Sequence, residues 1–230
     1  MIDAETYSRY EQYRRERTGR FIQRTPDEEL LYNLLHQYSY EYFDDFHFEK
    51  DTAASDYTDV QIANDDGEWI DASIELPEQL EYFEGYVLDT FLCKVEQLET
   101  GVCGQVNYID YTITIAPEYM KNEEPNPHIL HELIHVYEHA LDMLPKFYHD
   151  ILLLSLYNHM KQENGIEDID DRILAHTHVM NGDRITRQGG NHDILFFLKS
   201  LDLDLRCGFK LGTVCGYGRD EYEQAKNERG

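Results

Sequence analysis

The chain has 230 residues and a formal net charge of −26, from 46 acidic and 20 basic side chains. Such a surface repels nucleic-acid phosphates and anionic membranes, and it would attract a basic or partly unfolded polypeptide. With 41% hydrophobic residues, 18 Tyr and 10 Phe, the composition is that of a folded protein and not of an acidic disordered tail.

No apolar run approaches the roughly 18 residues of a membrane span. The N-terminus lacks the apolar core of a signal peptide, so a cytoplasmic protein is expected. Cys93, Cys103, Cys207 and Cys215 contain no CxxC pair and read as buried thiols. The one basic run holds Arg9, Arg14, Arg15, Arg17, Arg20 and Arg24. It reads as a solvated helical segment over 1–24 that balances an acidic body. A single domain over 25–215 and a polar tail over 216–230 complete the expected organisation.

A first long helix is expected over about 27–45. Thr25 caps it, Pro26 opens its first turn, and Leu30, Leu31, Leu34, Leu35, Tyr38 and Tyr42 keep helical spacing. The polar stretch 50–69 reads as a loop or irregular edge. Residues 76–100 start as helix and finish as a strand through Phe91, Cys93 and Val95. The run 110–116 alternates β-branched residues until Pro117 stops it. Ile113 and Ile115 would face helices and Thr112 and Thr114 the other side. The strand holding Ile113 and Ile115 is also the candidate free edge for an extended peptide. A helix begins near His128 and is broken at Pro145, another ends at Asn164-Gly165, and a third follows over 166–180. Turns are expected at Asn181-Gly182 and Gly189-Gly190, before a last helical segment over 191–205.

The chemistry is concentrated in His131-Glu132-Leu133-Ile134-His135. Residues at i and i+4 of a helix project from one face, so His131 and His135 can offer two imidazole nitrogens to one ion. Zinc accepts such ligands and leaves a position for water in catalytic sites. Glu132 would then act as general base and acid for peptide-bond hydrolysis. Leu130, Leu133, Ile134 and Leu141 would pack the helix and hold the ligands still.

Several residues compete for the third ligand position. Glu138 and His139 lie on the same helix, where three ligands form a row more easily than a tripod. His149, 14 residues after His135, is favoured because a turn at Leu144 and Pro145 could present it from the next helix. His192 is the main alternative, with Gly189 and Gly190 allowing close approach. Asp150 and Asp193, each beside its His, could tune the metal environment or stabilise a helix N-terminus. His176 and His178 would point in different directions on a helix and read as structural. Tyr137 or Tyr148 could donate to an oxyanion, although aromatic packing is the simpler reading for both.

The stretch "NYIDYTITIAPEYMKNEEPNPHILHELIHVYEH" resembles the strand, loop and HExxH helix of SprT-like zinc metallopeptidases. The resemblance covers about residues 90–160. It implies an α+β, zincin-like fold in which a small sheet packs against the HExxH helix. It also implies Zn2+ as cofactor, Glu132 as catalytic residue, and His131 and His135 as the first two ligands. Family members take a third histidine near the start of the following helix, often in an HGxxF-like setting. His149 fits best by distance, but has Asp150 for the glycine and Leu153 for the aromatic. His192 has Asp193 for the glycine and Phe196 at the aromatic position. The DNA-associated members carry basic or zinc-binding appendages that have no counterpart here. Two other readings stay open: a metal-stabilised binding or regulatory protein, and a zinc hydrolase of a non-peptide amide.

Overall fold

The computed structural model describes residues 24–43, 57–63, 69–75, 83–120, 125–142, 146–183 and 192–216. These residues form a mixed α+β structure of six helices, a three-stranded sheet and a separate hairpin. The basic N-terminal run, except Arg24, and the tail from 217 lie outside the described residues, as do the expected turns at Leu144-Pro145 and Gly189-Gly190.

Helix α1, Pro26–Tyr42, begins with a reciprocal cap. The Glu28 amide donates to Thr25 Oγ1 at 3.3 Å and the Thr25 amide to Glu28 Oε2 at 2.8 Å. The helix stops at Tyr42, short of the expected end at 45. Within the stretch 50–69 expected as loop lies β1, Tyr57–Ala63, which pairs antiparallel with β2, Trp69–Glu75. Its register sets Val60 opposite Ala72 and Ile62 opposite Ile70. Asp59, Val60, Gln61 and Ile62 alternate polar and apolar residues, the period-two pattern of such a strand.

Helix α2, Phe83–Thr90, is followed directly by β3, Leu92–Val95, as the helix-then-strand reading requires. Strand β4, Gly104–Asn107, runs antiparallel to β5, Thr112–Ile115, and β3 runs parallel to β5. The order is therefore β3-β5-β4, with β5 in the middle. This corrects two expectations. Strand β5 is not a free edge, and it is not one-sided: Thr112 and Thr114 are buried along with Ile113 and Ile115. Both faces of the strand are covered, so its alternation has no solvent side to report.

Helix α3, Pro127–Asp142, carries the HExxH motif and lies against the sheet through β4 and β5. It also contacts α1, α2, α4 (Lys146–Asn158) and α6 (Ile194–Cys207). Its start is fixed by Asn126, a cap the sequence reading passed over. Asn126 Oδ1 accepts from the amides of His128 and Ile129, its Nδ2 donates to the Tyr119 carbonyl, and its own amide donates to Tyr38 Oη. Ile129, Leu130, Leu133, Ile134, Val136, Tyr137, Ala140 and Leu141 are all buried in one continuous core. Tyr137 sits among Phe43 and Phe83, which accounts for it as packing.

Helix α4 passes into a π-helical turn, His159–Glu163, and the chain reverses through Gly165 at φ 65°. Helix α5, Ile169–Asp183, continues through the expected turn at Asn181-Gly182. Asp193 caps α6, its Oδ1 accepting from the Phe196 amide at 3.0 Å, and Gly208 ends it in the left-handed region at φ 71°. Among the described residues no helix is long and apolar enough to cross a membrane. The four cysteines are free thiols, of which Cys215 is buried and the other three half-buried.

Lys199 of α6 ties this arrangement together. It is fully buried, donates to the Tyr42 carbonyl at 2.9 Å and to Asp202 Oδ2 at 3.0 Å, and lies over the Phe43 ring. Removing one partner of such a buried pair strands the other charge. Lys199→Ala should therefore lower unfolding free energy by roughly 3–5 kcal/mol, read as a shift of the urea midpoint.

Candidate metal centre

The apolar packing of α3 leaves a polar stripe of His131, His135 and Glu138 on the side towards α6. His131, His135 and His192 each offer a ring nitrogen, all within 4.8 Å of one another. His192 stands just before the Asp193 cap of α6, so the helix start delivers its imidazole to the stripe. Its Nε2 lies 3.3 Å from His135 Nε2. Two nitrogens on a tetrahedral ion at zinc–nitrogen distances of about 2.0–2.1 Å would stand about 3.3 Å apart. The donor set and its spacing thus fit a metal ion, and this group could hold one. All three rings are half-buried, which leaves access from solvent.

The third member of the group is His192 and not His149, which chain distance favoured. His149 pairs with Asp193 (Nε2 to Oδ2, 3.6 Å) and Asp150 (Nδ1 to Oδ1, 3.6 Å). The Asp193 carboxylate beside it raises its pKa against the opposing effect of burial. It braces the helix cap beside His192 and does not enter the cluster. The signal in the sequence was Phe196, four residues after His192. Its ring meets all three imidazoles, with centroid distances of 4.9 Å to His131, 4.7 Å to His135 and 4.2 Å to His192. On α3 itself, His139 also lies outside the cluster. His139 points into an aromatic cluster, stacked on Tyr108 at 4.6 Å and bonded through Nδ1 to Tyr86 Oη. Burial lowers its pKa to about 4, which keeps the ring neutral.

His131 and His135 meet partners through Nδ1, and His192 is held through its backbone. A carbonyl can only accept, so the 2.8 Å contact between His131 Nδ1 and the Val214 oxygen places the proton on Nδ1 and leaves the Nε2 lone pair open. His135 Nδ1 lies 3.5 Å from Glu138 Oε2, and Tyr108 Oη donates to the His135 carbonyl at 2.9 Å. His176 Nε2 bonds the carbonyls of His192 at 2.9 Å and Asp193 at 3.2 Å, which fixes the turn that carries His192. His176 is thus the structural residue the sequence suggested, with a definite task. The side chains of His178 and Tyr148 are outside the described set.

Electrostatics follow from burial without a cation. Desolvation lowers His131 and pushes His135 well down, with the neighbouring imidazoles adding to the second effect. Neutral imidazoles are the form that binds metal. Glu132 is 5% exposed, and burial pushes its carboxyl up to about 8. Burial and Asp193 hold Glu138 well above the ordinary range. A positive ion among the imidazoles would favour the ionised carboxylates.

No protein-family model, curated protein or solved structure matches the chain.

Glu132 lies against β4, where Gly104 leaves room for it. A Cβ at position 104 would stand 2.7 Å from Glu132 Cγ and Oε1. Gly104→Ala should therefore destabilise the protein by roughly 1–3 kcal/mol through overpacking. Gly85→Ala, at an exposed site in α2 with nothing within 4 Å, should gain roughly 0.5–1 kcal/mol from helix propensity. Urea denaturation of the two variants checks the opposite signs.

Proposed function

We propose that the chain is a zinc-dependent metallopeptidase of zincin type, similar to the SprT-like enzymes. The observation that carries this reading is the placement of Glu132. Its buried carboxylate follows the first of three clustered histidines and lies against the backbone of a sheet edge. A structural metal site has no use for such a group, whereas hydrolysis needs a base beside the ion.

When bound, zinc would supply Lewis-acid polarisation of a carbonyl and a lowered pKa for an attacking water. His131, His135 and His192 hold the ion, and Phe196 keeps their rings in place. Glu132 takes the proton from the water and returns it to the departing amine. Strand β4 is an edge of the three-stranded sheet and packs against α3, and an extended substrate would add to that edge. The charge of −26 favours basic or unfolded polypeptides as substrates.

Zinc stoichiometry on single variants tests the ligand set. His192→Ala should lose the equivalent of zinc that the wild type binds, and His149→Ala should keep it. The reverse pattern would restore His149 as ligand. Glu132→Gln should retain zinc while peptide hydrolysis falls by roughly 10²–10⁴-fold, measured on a fluorogenic unfolded basic polypeptide. Full zinc binding by a wild type that cleaves no such polypeptide would favour a metal-stabilised binding protein.

A further inference from the structure

Asp204 is a fully buried carboxylate on α6, more than three turns beyond His192. Among the described residues it is met by backbone amides and by no cation. Oδ2 accepts from Gly212 at 2.6 Å and Oδ1 from Val214 at 3.0 Å, and the Thr213 amide also acts on it. The same residue's carbonyl accepts from the Phe209 amide at 2.8 Å. Gly212 stands at φ 96°, a conformation that suits glycine and lets the chain turn its amides inward. One side chain thus organises the segment 208–216 after the last helix.

A hydrogen bond joins that segment to the candidate centre. The Val214 carbonyl, whose own amide is held by Asp204, accepts from His131 Nδ1. Val214 and Cys215 are buried, so the connection is shielded from competing water. Burying a carboxylate is costly, and here burial pushes it up to about 7 despite the amides. An apolar side chain would pack the same space without that cost, but would leave the amides of Gly212 and Val214 unsatisfied and the carbonyl of Val214 unaimed.

We propose that Asp204 is a positioning residue for the metal centre, setting the 208–216 segment so that the Val214 carbonyl holds His131 with Nε2 facing His135 and His192. The inference rests on the reading that these three histidines bind an ion. Metal loading and docking of the segment are then one coupled equilibrium, because each favours the same orientation of His131.

Three measurements test it. Zinc affinity by competition with a chromophoric chelator should fall about 10–100-fold in Asp204→Asn, with one equivalent still bound at high zinc. In metal-free protein, long-range 1H–15N spectra should show His131 as the Nδ1–H tautomer in the wild type and a mixture in Asp204→Asn. In the wild type alone, zinc should increase hydrogen-exchange protection of the Gly212 and Val214 amides, a readout that survives even if the variant does not fold. A variant that is less stable but binds zinc with unchanged affinity would overturn the assignment, as would protection at these amides indifferent to zinc. A wild type that binds no zinc would instead overturn the metal reading itself, and the coupling with it.

Discussion

The polar stripe of α3 is defined by what surrounds it. Eight apolar side chains of that helix are buried against the sheet and four neighbouring helices, so α3 cannot turn about its axis without exposing some of them. His131 and His135 are therefore aimed in one direction by packing that involves neither of them. The i,i+4 spacing supplies the parallel projection, but the core supplies the bearing. Asn126 fixes where the helix begins, and Tyr108 braces the turn on which His135 sits. Everything else in the centre is delivered to a target that does not move.

Helix α6 makes that delivery from the far side. Its cap Asp193 fixes the first turn, His176 holds the carbonyls before it, and Lys199 locks the middle of the helix to the end of α1. One helix start therefore presents His192, and the ring of Phe196 one turn later fills the gap between it and α3. The two carboxyl groups that α3 contributes, Glu132 and Glu138, both have pKa values raised by burial. An ion held by the three histidines would favour the ionised form of both.

How much of this was legible depends on the distance over which each signal acts. The HExxH pair, the helix it lies on and the strand before it are local patterns, and they appear where the residues put them. The α1 start and the Asp193 cap are local too, since each is a side chain bonding amides three residues away. The third histidine is not local. His149 and His192 each precede an Asp and an apolar helix, and chain distance favoured the nearer one. The choice was made by packing of α6 across α3, for which the sequence offered only the aromatic at 196. The sheet order was hidden for a similar reason. Alternation reports which side chains share a face, but not whether a strand lies in the middle or at the edge, and β5 went to the middle. Asp204 and Asn126 went unread because a lone Asp or Asn announces nothing until the amides it serves are brought to it.

The contact of Phe196 with all three imidazoles has a consequence for which ions the centre would accept. A rigid ring shared by three ligands couples their rotations, so one imidazole cannot swing outward to suit a larger or six-coordinate ion without disturbing the other two. Magnesium and calcium, which want oxygen donors and roomier shells, are disfavoured by chemistry and by this stiffness together. Selectivity among nitrogen-loving metals would then be set less by affinity than by an aromatic wall that permits one shape.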